Sequence, residues 1–159
     1  MVLKLNDMDI LKGLLYINDK DVFVEYGAFL CENKSGERKN YTALLSPAKA
    51  KEHTCVSFRE EDGERYPDVL TPALEARDVT LSFAIVAASK SDFFKKYDAF
   101  LSMLRNGRNG WIVMRLSEID KTYKLIYRSA SDWEQLTDLS GSEVIASFKV
   151  KFREPKPAY

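Results

Sequence analysis

"RDVTLSFAIVA" (Arg77–Ala87) followed by "SKSDFFKKYDAFLSMLRNG" (residues 89–107) decides how this chain is read. In the first stretch Val79, Leu81, Phe83 and Ile85 point one way and Thr80, Ser82 and Ala84 the other, the period of two that marks a strand. In the second the period lengthens to about 3.6. Phe93, Tyr97, Phe100, Leu101 and Leu104 form one apolar stripe, with Ser89 or Ser91 placed to cap the start and Gly107 to stop the end. A helix is therefore predicted over residues 89–105, directly after a well-patterned strand.

Working outward, strands dominate. Downstream lie "GWIVMRLSE" (residues 110–118), "TYKLIYRS" (residues 122–129) and "EVIASFKVKF" (residues 143–152), the first two joined through "EIDK" as a hairpin. In the last strand Val144, Ala146, Phe148, Val150 and Phe152 alternate with Glu143, Ile145, Ser147, Lys149 and Lys151. That predicts one buried and one largely polar face, as antiparallel sheets allow. Upstream, "GLLYIND" and "GAFLCEN" read as short strands, "NDKD" as a tight connection and "NKSGERKN" as a loop. "HTCVSF" (residues 53–58) has strand character. Residues 59–77 show little periodicity and carry Pro67 and Pro72, so a long loop is expected there. The predicted architecture is a mainly β fold, a β-sandwich or partly closed barrel with one packed α-helix. It forms a single domain over residues 1–159 that ends in a tail from 154 to 159.

Composition narrows the function classes. The chain has 159 residues, 45% of them hydrophobic, with two Trp, eight Tyr and nine Phe, enough to build a core without staples. Lys and Arg total 24 and Asp and Glu 24, so the chain lacks the excess of cations that non-specific phosphate binding requires. No apolar run approaches the ~18 residues of a membrane span, and no charged-then-apolar leader opens the sequence. A cytoplasmic site of folding is expected, with Cys31 and Cys55 as reduced core thiols.

The residues offer little chemistry. His53 and Cys55 would share a strand face ~6.6 Å apart at ~3.3 Å per residue, too far for a nucleophile–base hydrogen bond. A zinc site would need two further ligands, and only Cys31 remains among the softer ones. Glu60, Glu61, Asp62 and Glu64 lack the ligand spacing of a calcium loop and read as a solvated charged loop. "NGRNG" (residues 106–110) has no helix after it and reads as a helix stop and turn, not a phosphate cradle. Trp111 and Trp133 read as core or contact residues. No enzyme, cofactor or metal is predicted.

The order of elements is more informative than any single motif. "LYINDKDVFVEYGAFL", then "VSFREEDGERYPDVLTPALEARDVTLSFAIVA", then "FFKKYDAFLSMLRNG", "WIVMRLSEIDKTYKLIYRSAS" and finally "FKVKFREPKP" run in the order seen in one family. The chain resembles the N-terminal, tail-tube-like domain of the distal tail proteins of long-tailed bacteriophages and prophages. That resemblance implies a tail-tube fold and a structural role in a homo-oligomeric, hexameric ring at the junction of tube and baseplate. Its implied partners are other copies of itself and other tail and baseplate proteins. DNA would pass through the lumen without specific binding. The chain would reside in the host bacterial cytoplasm during assembly and in the virion tail afterwards. Tail-tube proteins proper share the fold. A small-ligand-binding β-barrel module is the alternative from another class, since a partly open barrel can enclose an apolar ligand.

Two charged groups are candidates for contacts between subunits. Lys149, Lys151 and Arg153 fall on the outward face of the last strand, and Glu60, Glu61, Asp62 and Glu64 sit on the long loop. One subunit's acidic loop against the next subunit's basic stripe would fix register around a ring, because complementary charges orient partners more than they add affinity.

Overall fold

The computed structural model describes residues 11–32, 34 and 36–157. Asn33 and Ser35 of the expected loop, residues 1–10 of the expected domain and the last two residues of the expected tail lie outside them. The chain begins with a hairpin of β1 (Leu15–Ile17) and β2 (Lys20–Asp21). Its two-residue turn places Asn18 at φ 51° and Asp19 at φ 68°, the left-handed pair that suits the twist of paired strands. Next comes a short helix that the sequence does not announce. The "VFVEY" of α1 (Val22–Tyr26) is β-branched and aromatic, yet the Asp21 carboxylate accepts the Phe23 N–H at 3.1 Å and caps it. Gly27 closes α1 at φ 65°, and a Cβ there would lie 2.5 Å from the Val86 carbonyl, so no other residue fits.

β3 (Ala28–Leu30) leads to α2 (Lys39–Leu45), a second helix that the sequence does not announce. β4 (Arg77–Ala87), α3 (Lys90–Asn106), β5 (Ile112–Leu116), β6 (Lys121–Gln135) and β7 (Val144–Glu154) follow. The strands form a seven-stranded antiparallel sheet in the order β2-β1-β5-β6-β7-β4-β3. The mainly β fold with a packed helix is thus as read from the sequence, with α1 and α2 as additions. "HTCVSF" is a correction: it contributes only an isolated bridge at Val56, and Cys55 is exposed, not part of the core.

β6 joins two halves of the sheet. Lys121 to Leu125 pair with β5, whereas Ile126 to Gln135 pair with β7 through two register shifts. Asp132 sits at φ 57° in the second shift, a bulge beside which Trp133 packs, half exposed, against Phe93, Phe94 and Tyr97 of α3. The two ends of the strand order come together: Leu14, Leu15 and Leu116 from one end and Ala28, Phe29 and Leu30 from the other line a single cleft of about 330 Å³. The sheet is therefore curled toward a barrel that stops short of closing.

One core fills the inside of the curl. Val79, Leu81, Phe83 and Ile85 of β4 meet Ala146, Phe148, Val150 and Phe152 of β7, and α3 covers them. Ser89 Oγ accepts the Asp92 N–H at 3.2 Å, which starts α3 at the first of the two candidate caps. Phe93, Phe100 and Leu104 are fully buried, each worth roughly 1.5–3 kcal/mol of burial, while Tyr97 and Leu101 are half-buried at the margin. Phe100 packs edge-on against Phe83 at 5.4 Å and Phe148 at 6.0 Å. The outer face of β4–β7 is only partly polar. At one end Phe29, Cys31, Ala84, Val86 and Ile145 form a second small core, so the predicted alternation fails at Ile145 and Ser147, both of which are buried.

Candidate functional site

Between α2 and β4 the chain leaves the body as an arm, residues 47–76. Every residue from 49 to 73 is exposed. Its two legs are stitched at the base by Lys51 N–H to Ala73 C=O (2.8 Å) and Glu75 N–H to Lys49 C=O (2.7 Å). Nearer the tip, Val56 and Arg65 exchange bonds of 2.9 and 2.7 Å. Large apolar side chains stand out from it, Val69 at 80% exposure and Val56, Phe58, Tyr66 and Leu70 near half. The expected loop 59–77 is thus the outgoing tip and return leg of a longer hairpin-like arm.

At the tip the four predicted carboxylates differ in state. Arg65 forks onto Glu61 with both nitrogens and lies over the Phe58 ring, 5.2 Å from its centre. The Tyr66 hydroxyl donates to Glu64 at 2.8 Å, and that carboxylate pushes the phenol up to about 12. Glu60 and Asp62 make no such bond among the described residues and remain open to a partner.

The root of the arm is fastened by groups the sequence reading missed. Arg77, the last residue before the body, reaches back to the end of α2, where the arm leaves. Its guanidinium donates to the carbonyls of Ala43 (3.3 Å), Leu44 (2.9 Å) and Ser46, supplying the orphan acceptors of a helix C-terminus. It also pairs with Glu154 at 3.2 Å, with the two side chains 12% and 6% exposed, and lies near the Tyr123 ring. Tyr123 O–H donates to the same Leu44 carbonyl at 3.2 Å. Asn40 ties α2 to the sheet: its amide donates to Cys31 C=O at 2.8 Å and accepts the Ser82 N–H at 2.8 Å.

The basic stripe occupies the outer face of β7 as predicted, but it is not bare. Lys151 and Arg153 share Asp78 of β4 at 3.6 and 3.1 Å, and Lys149 faces Asp132 of β6 at 3.7 Å. Arg153, with help from Lys151 and Arg128, holds the Asp78 carboxyl below its usual range. Three cations therefore share two carboxylates. No ion pair among the described residues joins Glu60, Glu61, Asp62 or Glu64 to this stripe within the chain. Asp78 and Asp132 were invisible as partners because they follow from strand register, not from spacing along the chain.

Other candidates stay apart. His53 and Cys55 are both exposed on the arm, while Cys31 lies in the outer core, where burial pushes its thiol up to about 11. No group of three or more His, Cys, Asp or Glu is placed to hold a metal among the described residues. None of their helices is long and apolar enough to cross a membrane. At the open seam, Tyr41 donates to Glu118, and burial with that bond pushes the phenol up to about 12.

No protein-family model and no curated protein matches this sequence. Among solved structures, the chain is similar to SPP1 Dit (gp 19.1), described as a paradigm of the hub adsorption apparatus in Gram-positive infecting phages. The match has a TM-score of 0.52 and 15% sequence identity, and it covers 91% of this chain and 52% of that one. The chain thus spans about half the length of that neighbour. At this identity the likeness concerns the fold: the body described above is built like part of a phage hub protein.

Proposed function

We propose that this chain is a structural protein of a phage or prophage tail, a ring-forming distal tail or tail-tube component that links tube and baseplate. The observation that carries the reading is the arm. A monomer does not ordinarily hold out so long a stretch with Val56, Phe58, Tyr66, Val69 and Leu70 uncovered. A second copy supplies the missing burial, and a contact between unlike surfaces repeated around an axis closes a ring. A hexamer, the number the family resemblance implies, is the expected stoichiometry, with tail and baseplate proteins above and below it and DNA passing through unretained. Assembly would take place in the bacterial cytoplasm.

Within this reading the acidic tip of one copy lies near the outer stripe of the next, with Glu60 and Asp62 facing the surplus charge of Lys149, Lys151 and Arg153. Because Lys149 and Lys151 already serve Asp132 and Asp78, charge reversal on the stripe would also place like charges side by side inside one chain. The cleaner test is at the tip. Glu60→Lys with Asp62→Lys should leave the monomer's melting temperature unchanged and weaken assembly most at low salt, since exposed charges are screened beyond ~8 Å at physiological ionic strength. Light scattering on the unaltered chain decides the larger question by separating an 18.2 kDa monomer from a ring. The ligand-binding alternative rests on the 330 Å³ seam between the sheet ends, where leucines and Phe29 share the lining with Glu32, Glu37, Arg38 and Glu118. A monomer at every concentration that takes up an apolar probe at this seam would favour it.

A further inference from the structure

At the far end of β4 from the arm's root lies a second concavity, about 520 Å³, lined by Phe23, Val86, Ala87 and Ala88 and edged by Val24, Lys96, Ser142 and Glu143. Val24 is 61% exposed on its rim. Arm and pocket sit at opposite ends of an eleven-residue strand, so the pocket is a surface for another molecule and not a seat for the chain's own arm root. We propose that it receives Val69 and Leu70 of a second copy's arm. This rests on the ring reading above and names the apolar half of the contact whose charged half is the acidic tip on the basic stripe.

Three observations select that occupant. Val69 is the most exposed large apolar residue described, and Leu70 beside it is half exposed. Pro67 and Pro72 bracket the pair and keep it out of helix, and the chain bends at Asp68 and Val69, which presents the pair on the arm's return leg. The spacing also agrees. Lys149 and Lys151 stand opposite Ser82 and Thr80 of β4, four and six residues before Val86, or ~13–20 Å at ~3.3 Å per residue. On the arm, Val69 follows Asp62 by seven residues, a separation that the bends at Gly63 and at Asp68 and Val69 hold below the ~23 Å of an extended run. One arm laid along the outer face therefore meets the stripe with its carboxylates and the pocket with its aliphatic pair. The contact joins two different surfaces, as a ring requires.

The test places one thiol on each side. In a Cys55→Ser background, Val69→Cys and Val24→Cys are combined, and the chain is treated with a short bis-maleimide. Both substituted positions are exposed, so the monomer should melt as before. A ladder of covalent multimers from the double variant, and none from either single one, is the expected result. Val24→Glu, which sets a charge on the pocket rim, should weaken self-association about tenfold or more without altering the fold. If light scattering shows assembly but the double variant gives no ladder, the pocket assignment fails and the ring reading stands. Unchanged association in Val24→Glu gives the pocket to some other occupant and overturns the proposal equally. Should Val24→Cys cross-link to itself alone, the contact is symmetric and the proposal is wrong. A chain that stays monomeric at every concentration removes the ring reading, and this inference with it.

Discussion

Body and arm are built on opposite terms. In the body every strand except β2 contributes to one core, and Phe83, Phe93, Phe100, Phe148 and Phe152 are sealed from water. In the arm no residue from 49 to 73 is covered, and two stitched pairings hold its legs. Buried apolar surface is concentrated in the first region, and uncovered apolar side chains in the second. The lesson is that damage to one should leave the other's property intact, apart from the few residues that join them.

The largest blow to the body is Phe100→Ala, which empties a site surrounded by Phe83, Phe148 and Tyr26. It should cost ~3–5 kcal/mol and lower Tm by ~10 °C in thermal unfolding. Arg77→Ala strikes the junction. Glu154 is left buried without its cation and the end of α2 without its donors, so a loss of about 3 kcal/mol in urea denaturation is expected. The cysteines, one in each region, sharpen the contrast without any mutation. A thiol pushed from 9.0 to about 11 holds ~100-fold less thiolate at neutral pH. Cys55 should therefore alkylate in the native protein and Cys31 only after unfolding. Asn40→Ala, which leaves Ser82 N–H and Cys31 C=O unpaired in the interior, should cost ~1–3 kcal/mol. Smallest of all, Val69→Ser should move monomer stability by no more than ~0.5 kcal/mol. A loss of several kcal/mol there would mean that the arm belongs to the body after all.

What the sequence disclosed follows the same division. β4 is found on the residues its alternation predicts, and α3 within one residue of its predicted bounds, because period and burial coincide there. α2 was missed because seven residues with Leu44 and Asn40 as their buried members make no stripe, and its end is completed by Arg77 from a distant part of the chain. α1 went unassigned because Val22, Phe23 and Val24 have strand propensity, which the Asp21 cap and Gly27 stop override. Val56 and Phe58 promised a strand for the same reason, but only Val56 is paired, through a single isolated bridge to Arg65, and no ladder extends from it. For the candidate surfaces, the charged residues were visible and their mutual neutralisation was not. Asp78 meets Arg153 only once β4 and β7 are set in register.

The clasp at Arg77 also has a mechanical meaning. The arm enters β4 at Arg77, and the chain leaves β7 at Glu154, directly opposite. Tension between a neighbour holding the arm and anything attached beyond residue 154 would pull these two strands apart from the same end. That is unzipping, in which rungs carry the load one at a time and the first rung sets the force at which opening begins. Here the first rung is the Arg77–Glu154 pair, backed by the carbonyls of Ala43, Leu44 and Ser46. A chain pulled from these two ends would meet a buried ion pair at the point where the sheet would otherwise start to open.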